Sequence, residues 1–278
     1  MSKFRKGRHG RNGNSAAGEA NVLMNVMKIG VLLLAVAGVF YFYKLKSADL
    51  QVVSKETNCP IKAKALTVLL VDVTDPLTPA QEGDLTNEFK RLVQSNPRKG
   101  EIAIFVVDRS DKNLLRPVEA RCNPGDPAEV DSTTGNPKIA EMKYEKYYRR
   151  PLMDVKDTIV KASGANSSPI LESIRSVAVS KLKTPEYDAV PKKLVVVSDM
   201  LQKSGGISFY GNLPDASKLV SSAEFNAIRS DLRDIDVELW QLYRPQLKDQ
   251  QGRTLVELWE KIISKQGGDV VRTYRVSG

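Results

Sequence analysis

The sequence predicts an α/β protein: a doubly wound, mostly parallel six-stranded sheet with one antiparallel edge strand and helices on both faces, preceded by one transmembrane helix. Beyond residue 64, short apolar runs typical of strands buried on both faces alternate with amphipathic segments typical of helices. A charge-free apolar run precedes them at residues 29–43. The composition, 41% hydrophobic and 27% charged, is that of a globular protein, which excludes wholesale disorder and a multi-span membrane protein.

Positive charge is concentrated in the N-terminal arm. Residues 1–46 carry eight basic side chains against the single acid Glu19, a net charge of +7, so the formal +9 of the whole chain leaves +2 for residues 47–278. A nearly neutral folded part removes the main compositional argument for a nucleic-acid partner. Residues 1–20 are rich in Gly, Arg, Lys, Ser and Asn, and we interpret them as a basic disordered tail.

The apolar run predicts a single-pass membrane anchor. With residues 22–28 it gives about 22 residues, which is sufficient for a hydrocarbon core of roughly 30 Å. A cleaved signal peptide would show small residues after its apolar run, whereas this one ends in YFYKLK. A buried core helix would not lie between a basic tail and a polar connector. The predicted parts are a tail at 1–20, an anchor at 21–46, a connector at 47–63 and a folded domain at 64–278.

Orientation follows from charge and from the two cysteines. The basic tail favours a cytoplasmic N-terminus, which places the folded domain on the extracytoplasmic side, the periplasm if the protein is bacterial. Cys59 precedes the first predicted strand and Cys122 follows the third, so the two could form a disulfide. A disulfide requires an oxidising compartment and would support this orientation. The alternative is two unrelated thiols.

Strands and helices alternate along the folded domain. Strands are predicted at residues 66–72, 101–108, 113–121, 192–199, 237–242 and 270–275. Helices are predicted at about 79–95, 144–163, 169–183, 222–233 and 253–266. Only a short connection separates the second strand from the third, which indicates an antiparallel hairpin at the sheet edge. Capping boxes beginning at Thr78 and Ser221 mark two helix starts, and the Pro- and Gly-rich residues 122–143 predict a long loop.

Oxygen-bearing side chains follow two of the predicted parallel strands. Asp72 ends the first strand and Asp199 ends the fourth, while Ser167 and Ser168 precede a helix between them. Open α/β sheets bind ligands beyond the carboxyl ends of their parallel strands. We therefore expect these side chains to converge at that edge.

These segments resemble the von Willebrand factor A (VWA) family over about residues 64–276, essentially the whole folded domain. The family's metal-ion-dependent adhesion site (MIDAS) has Asp-x-Ser-x-Ser after strand one, a Thr in a later loop and an Asp after strand four. The resemblance implies a divalent-metal site, and the matching positions are Asp72, Thr74, Ser168 (or Ser167) and Asp199.

This site departs from the family pattern at Pro76. Proline stands in the place of the second Ser and offers no side-chain oxygen, so the predicted metal site is degenerate. A magnesium ion could still complete its octahedral shell with water or with Asp75. The alternative is that the same polar side chains only cap helices and accept hydrogen bonds from loop amides.

The resemblance also implies a protein-protein interaction module, for adhesion or as a scaffold. We expect the partner to bind at the carboxyl-end face of the sheet. Asp75 lies in the loop after the first strand, and Phe209 and Tyr210 lie in a Gly-containing stretch directly after Asp199. We predict that these three side chains are exposed at the rim of the site and contact the partner.

Catalysis is not expected. The single histidine is His9, in the basic arm, so the chain cannot assemble a Ser-His-Asp triad or a His-based metalloprotease motif. A haloacid-dehalogenase-like phosphatase, the minor alternative, also ends its first strand in Asp, but its general acid two positions later would here be Thr74. The other alternative is a structural subunit of a larger cell-envelope complex.

Two further features have ordinary explanations. Residues 143–150, KYEKYYRR, mix aromatic and basic side chains in a way that could bind nucleic acid, but a solvated helix face with tyrosines packed inward is the favoured interpretation. Trp240 and Trp259 have apolar neighbours in sequence, and we expect both in the core.

Overall fold

The computed structural model describes residues 15–47, 54, 57, 59–60, 62–72, 76–107, 114–130, 135–160, 167–204 and 206–277. The chain forms two compact units, Met1–Val52 and Val53–Gly278.

The first unit contains one long helix, α1, at Ser15–Ser47. Its described side chains are Met24 and residues 27–42, and the large apolar ones among them are exposed, Leu34 to 75%. The predicted anchor at residues 21–46 lies within this helix. Within the described residues, no helix is both long enough and apolar enough to cross a membrane.

The second unit is built on a mostly parallel six-stranded sheet, as predicted. Its strands are β1 (Ala65–Val71), β2 (Gly100–Val106), β3 (Glu119–Cys122), β4 (Lys192–Ser198), β7 (Ile235–Leu242) and β8 (Asp269–Val276). Two short strands, β5 (Lys203–Ser204) and β6 (Ile207–Ser208), form a separate antiparallel pair. The order across the main sheet is β3-β2-β1-β4-β7-β8, and β3 at one edge is the antiparallel member. Strands β1 and β4 lie at its centre, so their apolar runs are buried on both faces.

Helices cover both faces of the sheet. They are α2 (Pro79–Ser95), α3 (Pro137–Tyr144), α4 (Arg150–Val160), α5 (Ile170–Val177), α6 (Ala216–Leu219), α7 (Ala223–Ile228) and α8 (Arg253–Lys265). Alternate residues of β1 enter two separate cores: Leu70 packs in the one that includes residues of α5 and α8, and Leu69 in the one that includes residues of α2 and α4. Trp259 is buried in the first core and Trp240 in the second, as predicted.

The helix starts follow local capping chemistry. The capping box at Thr78 is confirmed, because its hydroxyl accepts from the Gln81 amide and the Gln81 side chain accepts from the Thr78 amide. The second predicted box was placed one residue too early: Ser222, not Ser221, caps α7 through the Phe225 amide. Helix α7 is also shorter than the predicted helix at 222–233.

Several other predictions are corrected between β2 and β4. The predicted loop at 122–143 contains the start of α3 at Pro137, where the Asn136 side chain accepts from the amides of Lys138 and Ile139. The predicted helices at 144–163 and 169–183 both contain one wider, π-helical turn, at Glu145–Arg149 and at Ala178–Leu182. The edge strand β3 begins at Glu119, later than the predicted 113.

A disulfide joins Cys59 to Cys122, as predicted. It ties the segment before β1 to the last residue of the edge strand β3, and the Cys122 amide also donates to the carbonyl oxygen of Thr57 at 3.2 Å. The covalent link therefore fixes the entry of the chain into the domain against the outer edge of the sheet.

Breaking this disulfide is expected to destabilise the folded unit. The bond closes a sequence separation of 63 residues. In the chain-entropy treatment, a cross-link of that span restricts the unfolded chain and contributes about 4 kcal/mol. We expect dithiothreitol, or the double variant Cys59→Ser/Cys122→Ser, to lower the thermal midpoint of the full chain. The double variant itself should not respond to dithiothreitol; an unchanged midpoint in the reduced wild type would contradict the prediction.

Candidate functional site

The carboxyl ends of β1 and β4 bring two aspartates to one edge of the sheet. The strands pair in parallel with Val71 opposite Val197, and the Asp72 amide donates to the Val197 carbonyl oxygen at 2.7 Å. Asp72 and Asp199 therefore leave the sheet from adjacent strands. Both residues are buried, with 3% of their surface exposed.

Two serine hydroxyls satisfy the Asp72 carboxylate. Its Oδ2 accepts from the hydroxyl of Ser168 and from that of Ser198, the latter at 3.2 Å. Ser168 is positioned by its backbone, which exchanges hydrogen bonds with Lys203 at 3.1 and 3.0 Å. The loop before α5 is thus tied both to β1 and to the β5–β6 hairpin.

Asp199 is held by donors from its own turn and from the loop that follows. Its Oδ1 accepts from the Leu201 amide at 2.8 Å and lies 3.5 Å from the Ser198 hydroxyl, while Oδ2 accepts from the Tyr210 hydroxyl at 3.4 Å. Ser198 therefore lies between the two carboxylates. The role of Ser198 was not predicted from the sequence.

A strained turn fixes the direction of Asp199. Met200 has a φ of +65°, which is unfavourable for a residue with a side chain. The surroundings hold it there: its amide donates to the Ser198 hydroxyl at 3.0 Å, and its carbonyl oxygen accepts from the Trp259 indole at 2.8 Å. Strain of this kind persists where the structure over-determines it, which is common at functional sites.

The other predicted site residues have mixed outcomes. Thr74 and Asp75 lie outside the described residues. The prediction that Phe209 is exposed is wrong, because the ring is fully buried and packs edge-on against Trp259 at 5.6 Å between centroids. Tyr210 is exposed to 37%, and its hydroxyl reaches Asp199. Among the predicted rim residues described by the structure, Tyr210 is the one that a partner could contact.

A buried glutamine supports the site from behind and was not predicted. The Gln251 side-chain Nε2 donates to the carbonyl oxygens of Asp199 at 2.8 Å and Leu242 at 2.9 Å. Its Oε1 accepts from the backbone amide of Arg244 at 2.6 Å. Arg244 in turn donates from Nη1 to the Pro76 carbonyl oxygen at 2.8 Å. This network links the ends of β4 and β7 to the loop after β1. A glutamine in a polar stretch such as KDQQGR carries no sequence signal for this role.

The donor set is one of hard oxygens. Asp72, Ser168, Ser198 and Asp199 gather carboxylate and hydroxyl groups, which are ligands that magnesium accepts. Over the described residues, a separate trio of potential metal ligands has its ligand atoms within 4.8 Å of one another: Cys59, Glu101 and Cys122. Its two sulfurs are bonded to each other, and its carboxylate accepts from the Tyr187 hydroxyl at 2.5 Å, so that trio is not a metal site.

Comparisons with known proteins give no family assignment. No family model and no curated protein matches the chain. Three similar solved structures each have a TM-score of 0.36 and align with 77% of this chain. They are an aerotolerance-related membrane protein from Bacteroides fragilis NCTC 9343, with multiple mutations to serines (14% identity, 92% of that chain); the conserved hypothetical protein BatB from Bacteroides thetaiotaomicron (12%, 91%); and the SpRpn10 VWA domain (11%, 90%). At this TM-score, the likenesses carry no argument about function.

Replacing Gln251 is expected to loosen the site. Gln251→Ala leaves two carbonyl oxygens and one amide without this partner in a buried place, which costs about 2–4 kcal/mol in unfolding free energy. The matched control is the neighbouring Gln250→Ala: that side chain accepts one long bond, 3.3 Å from the Gly211 amide, at the surface. We expect the control to stay within about 0.5 kcal/mol of the wild type. Equal effects of the two substitutions in urea unfolding would refute a supporting role for Gln251.

Proposed function

We propose that the Val53–Gly278 unit is a VWA-like binding module whose protein partner docks on the carboxyl-end face of the sheet. The observation that carries the proposal is the convergence of Asp72, Ser168 and Asp199 from three distant parts of the chain. Buried carboxylates are costly unless they are hydrogen-bonded or paired with a cation. A cluster of this kind at the ligand-binding edge of an α/β sheet favours a recognition role over a purely structural one.

The rim of the site carries an exposed side chain that a partner can contact. Tyr210 is exposed on one side and reaches Asp199 on the other, and the Lys203 ammonium lies 5.6 Å from the centre of its ring. Lys203 also exchanges backbone hydrogen bonds with Ser168. A partner that contacts Tyr210 therefore contacts a side chain that is hydrogen-bonded to Asp199 of the buried cluster. We also propose Asp75, which follows β1 in the sequence, as a contact residue.

A divalent cation, Mg²⁺ in the first instance, is part of this proposal. Asp72, Ser168, Ser198 and Asp199 would hold it, with Thr74 as the resemblance to the VWA family implies. The ion would supply positive charge between the carboxylates and an open position for an acidic side chain of the partner. Pro76 brings no side-chain oxygen, so we expect weak affinity, with a Kd of about 10⁻⁴ to 10⁻³ M.

We propose that the module binds without catalysing a reaction. The only histidine of the chain is His9, far from the site in sequence. Asp72 accepts hydrogen bonds from Ser168 and Ser198, which suits a carboxylate that is held in place more than one that moves protons.

We propose that residues 21–46 anchor the module in a membrane, with the N-terminus cytoplasmic and the folded unit extracytoplasmic. The exposed apolar side chains of α1 support this arrangement, since a helix that is apolar all round suits a lipid environment. The Cys59–Cys122 disulfide supports an oxidising compartment for the folded unit.

Millimolar Mg²⁺ or Mn²⁺ is expected to raise the thermal midpoint of the protein. At a tenfold excess over Kd, mass action stabilises the folded state by about 1.4 kcal/mol, which corresponds to about 3–5 °C for a domain of this size. Asp72→Ala should abolish the increment, whereas Asp236→Ala, an exposed aspartate at the opposite ends of the strands, should retain it. If the wild type shows no increment, or if Asp72→Ala keeps it, the cluster is a metal-free polar network.

Partner docking can be tested at Tyr210. The photocrosslinking residue p-benzoylphenylalanine in place of Tyr210 should give a discrete crosslinked product in intact cells, because this side chain lies exposed beside the cluster. The same residue in place of Asp236, at the other end of the sheet, should give none. Adding Asp72→Ala to the Tyr210 crosslinker should weaken the product. Crosslinks of equal yield at both positions would count against a partner on the carboxyl-end face.

A further inference from the structure

The segment at residues 137–150 presents one face to the core and one to solvent. Helix α3, the π-helical turn and α4 follow one another without a break. Tyr148 and Leu152 on the inner face are fully buried. The Tyr148 hydroxyl donates to the Val93 carbonyl oxygen at 2.9 Å and accepts from the Asn96 side-chain Nδ2 at 3.0 Å. These contacts fix the rotation of the segment and therefore which residues face outward.

Three large apolar side chains face outward. Ile139 is 46% exposed, Met142 is 59% exposed and Tyr147 is 44% exposed. Their spacing of three and then five residues places them on one broad side of the helix, whereas Tyr148 faces the core. The sequence-based expectation that the tyrosines of this segment pack inward holds for Tyr148 but not for Tyr147.

Cations are interleaved with these apolar side chains. Lys143, Lys146 and Arg150 are all exposed, and no described acidic side chain pairs with them. The neighbouring Glu145 is already neutralised by Arg149 through two hydrogen bonds, one of them 2.7 Å long. The Lys146 ammonium lies 5.2 Å from the centre of the Tyr147 ring. We name these outward residues the basic helix face: Ile139, Met142, Lys143, Lys146, Tyr147 and Arg150.

We propose that the basic helix face binds the surface of an anionic phospholipid bilayer, with Ile139, Met142 and Tyr147 entering the headgroup region. A helix whose exposed side combines apolar side chains with lysine and arginine is the pattern of interfacial membrane helices. Charge complementarity selects anionic over neutral lipid. The inference rests on the membrane anchor of the proposed function, because tethering raises the effective concentration of the bilayer and lets a weak contact be populated.

Each cation near an anionic surface contributes about a fivefold factor in partitioning. Removing Lys143 and Lys146 together should therefore weaken the contact by about 25-fold. A matched control is the pair Lys248 and Lys261, which are also exposed but lie outside the segment.

Hydrogen exchange of the full chain in vesicles tests the proposal. Vesicles of phosphatidylcholine alone are compared with an equimolar mixture of phosphatidylcholine and phosphatidylglycerol. We expect amide exchange in residues 137–150 to slow by about fivefold or more in the anionic vesicles only. Lys143→Gln/Lys146→Gln should lose this protection, and Lys248→Gln/Lys261→Gln should keep it. Equal exchange in the two lipids, or protection that survives Lys143→Gln/Lys146→Gln, would overturn the proposal.

Two further arms separate the alternatives. Protection of the same residues by single-stranded oligonucleotide, but not by anionic lipid, would mean that the face binds nucleic acid and would overturn the proposal. Flotation with neutral vesicles after a carbonate wash tests the anchor alone. If the carbonate wash removes the chain from the neutral vesicles, the membrane anchor of the proposed function is wrong. Flotation of this unanchored chain with anionic vesicles then still decides whether the basic helix face binds lipid.

Discussion

The parallel pairing of β1 with β4 is the contact on which the candidate site depends. Both strands are apolar and buried on both faces, so a shift in their register would move core side chains as well as the residues that follow. Because Val71 lies opposite Val197, the next residues along both strands leave the core side by side. Asp72, Ser198 and Asp199 are therefore placed by the same hydrophobic burial that stabilises the fold, and the serine between the carboxylates limits their repulsion.

The fold could be predicted because its central strands carry the strongest signal in the sequence. A run such as LTVLLVD between polar segments leaves few alternatives to a strand buried on both faces, and helices between such runs imply parallel crossovers. Where the sequence pattern is weaker, the predicted ends of strands and helices are less accurate. The edge strand β3 is short and partly exposed, so nothing in its apolar pattern marks Glu119 as its start. The beginning of α3 depends on the Asn136 cap, in a stretch where proline and glycine favour a loop.

From the sequence, only those site residues that lie at the ends of predicted strands and helices could be identified. The predicted strand ends identified Asp72 and Asp199, and the predicted helix start identified Ser168. Side-chain direction in a loop depends on tertiary packing, which is why Phe209 was expected at the surface although Trp259 covers it. Gln251 is a supporting residue because its side chain forms hydrogen bonds with three backbone groups. These groups come together only when the chain folds, so the sequence carries no signal for them. Thr74 and Asp75, also predicted there, lie outside the described residues.

The Cys59–Cys122 bond also determines how the domain bears mechanical load. A pull on the chain ahead of residue 59 reaches the sheet by two routes, through the backbone into β1 and through the disulfide into β3. The covalent route leads to the antiparallel edge strand β3, at the opposite edge of the sheet from β8, while β1 is hydrogen-bonded on both sides by β2 and β4. Tension is thus shared between a central and a peripheral strand, and β1 is not unzipped alone.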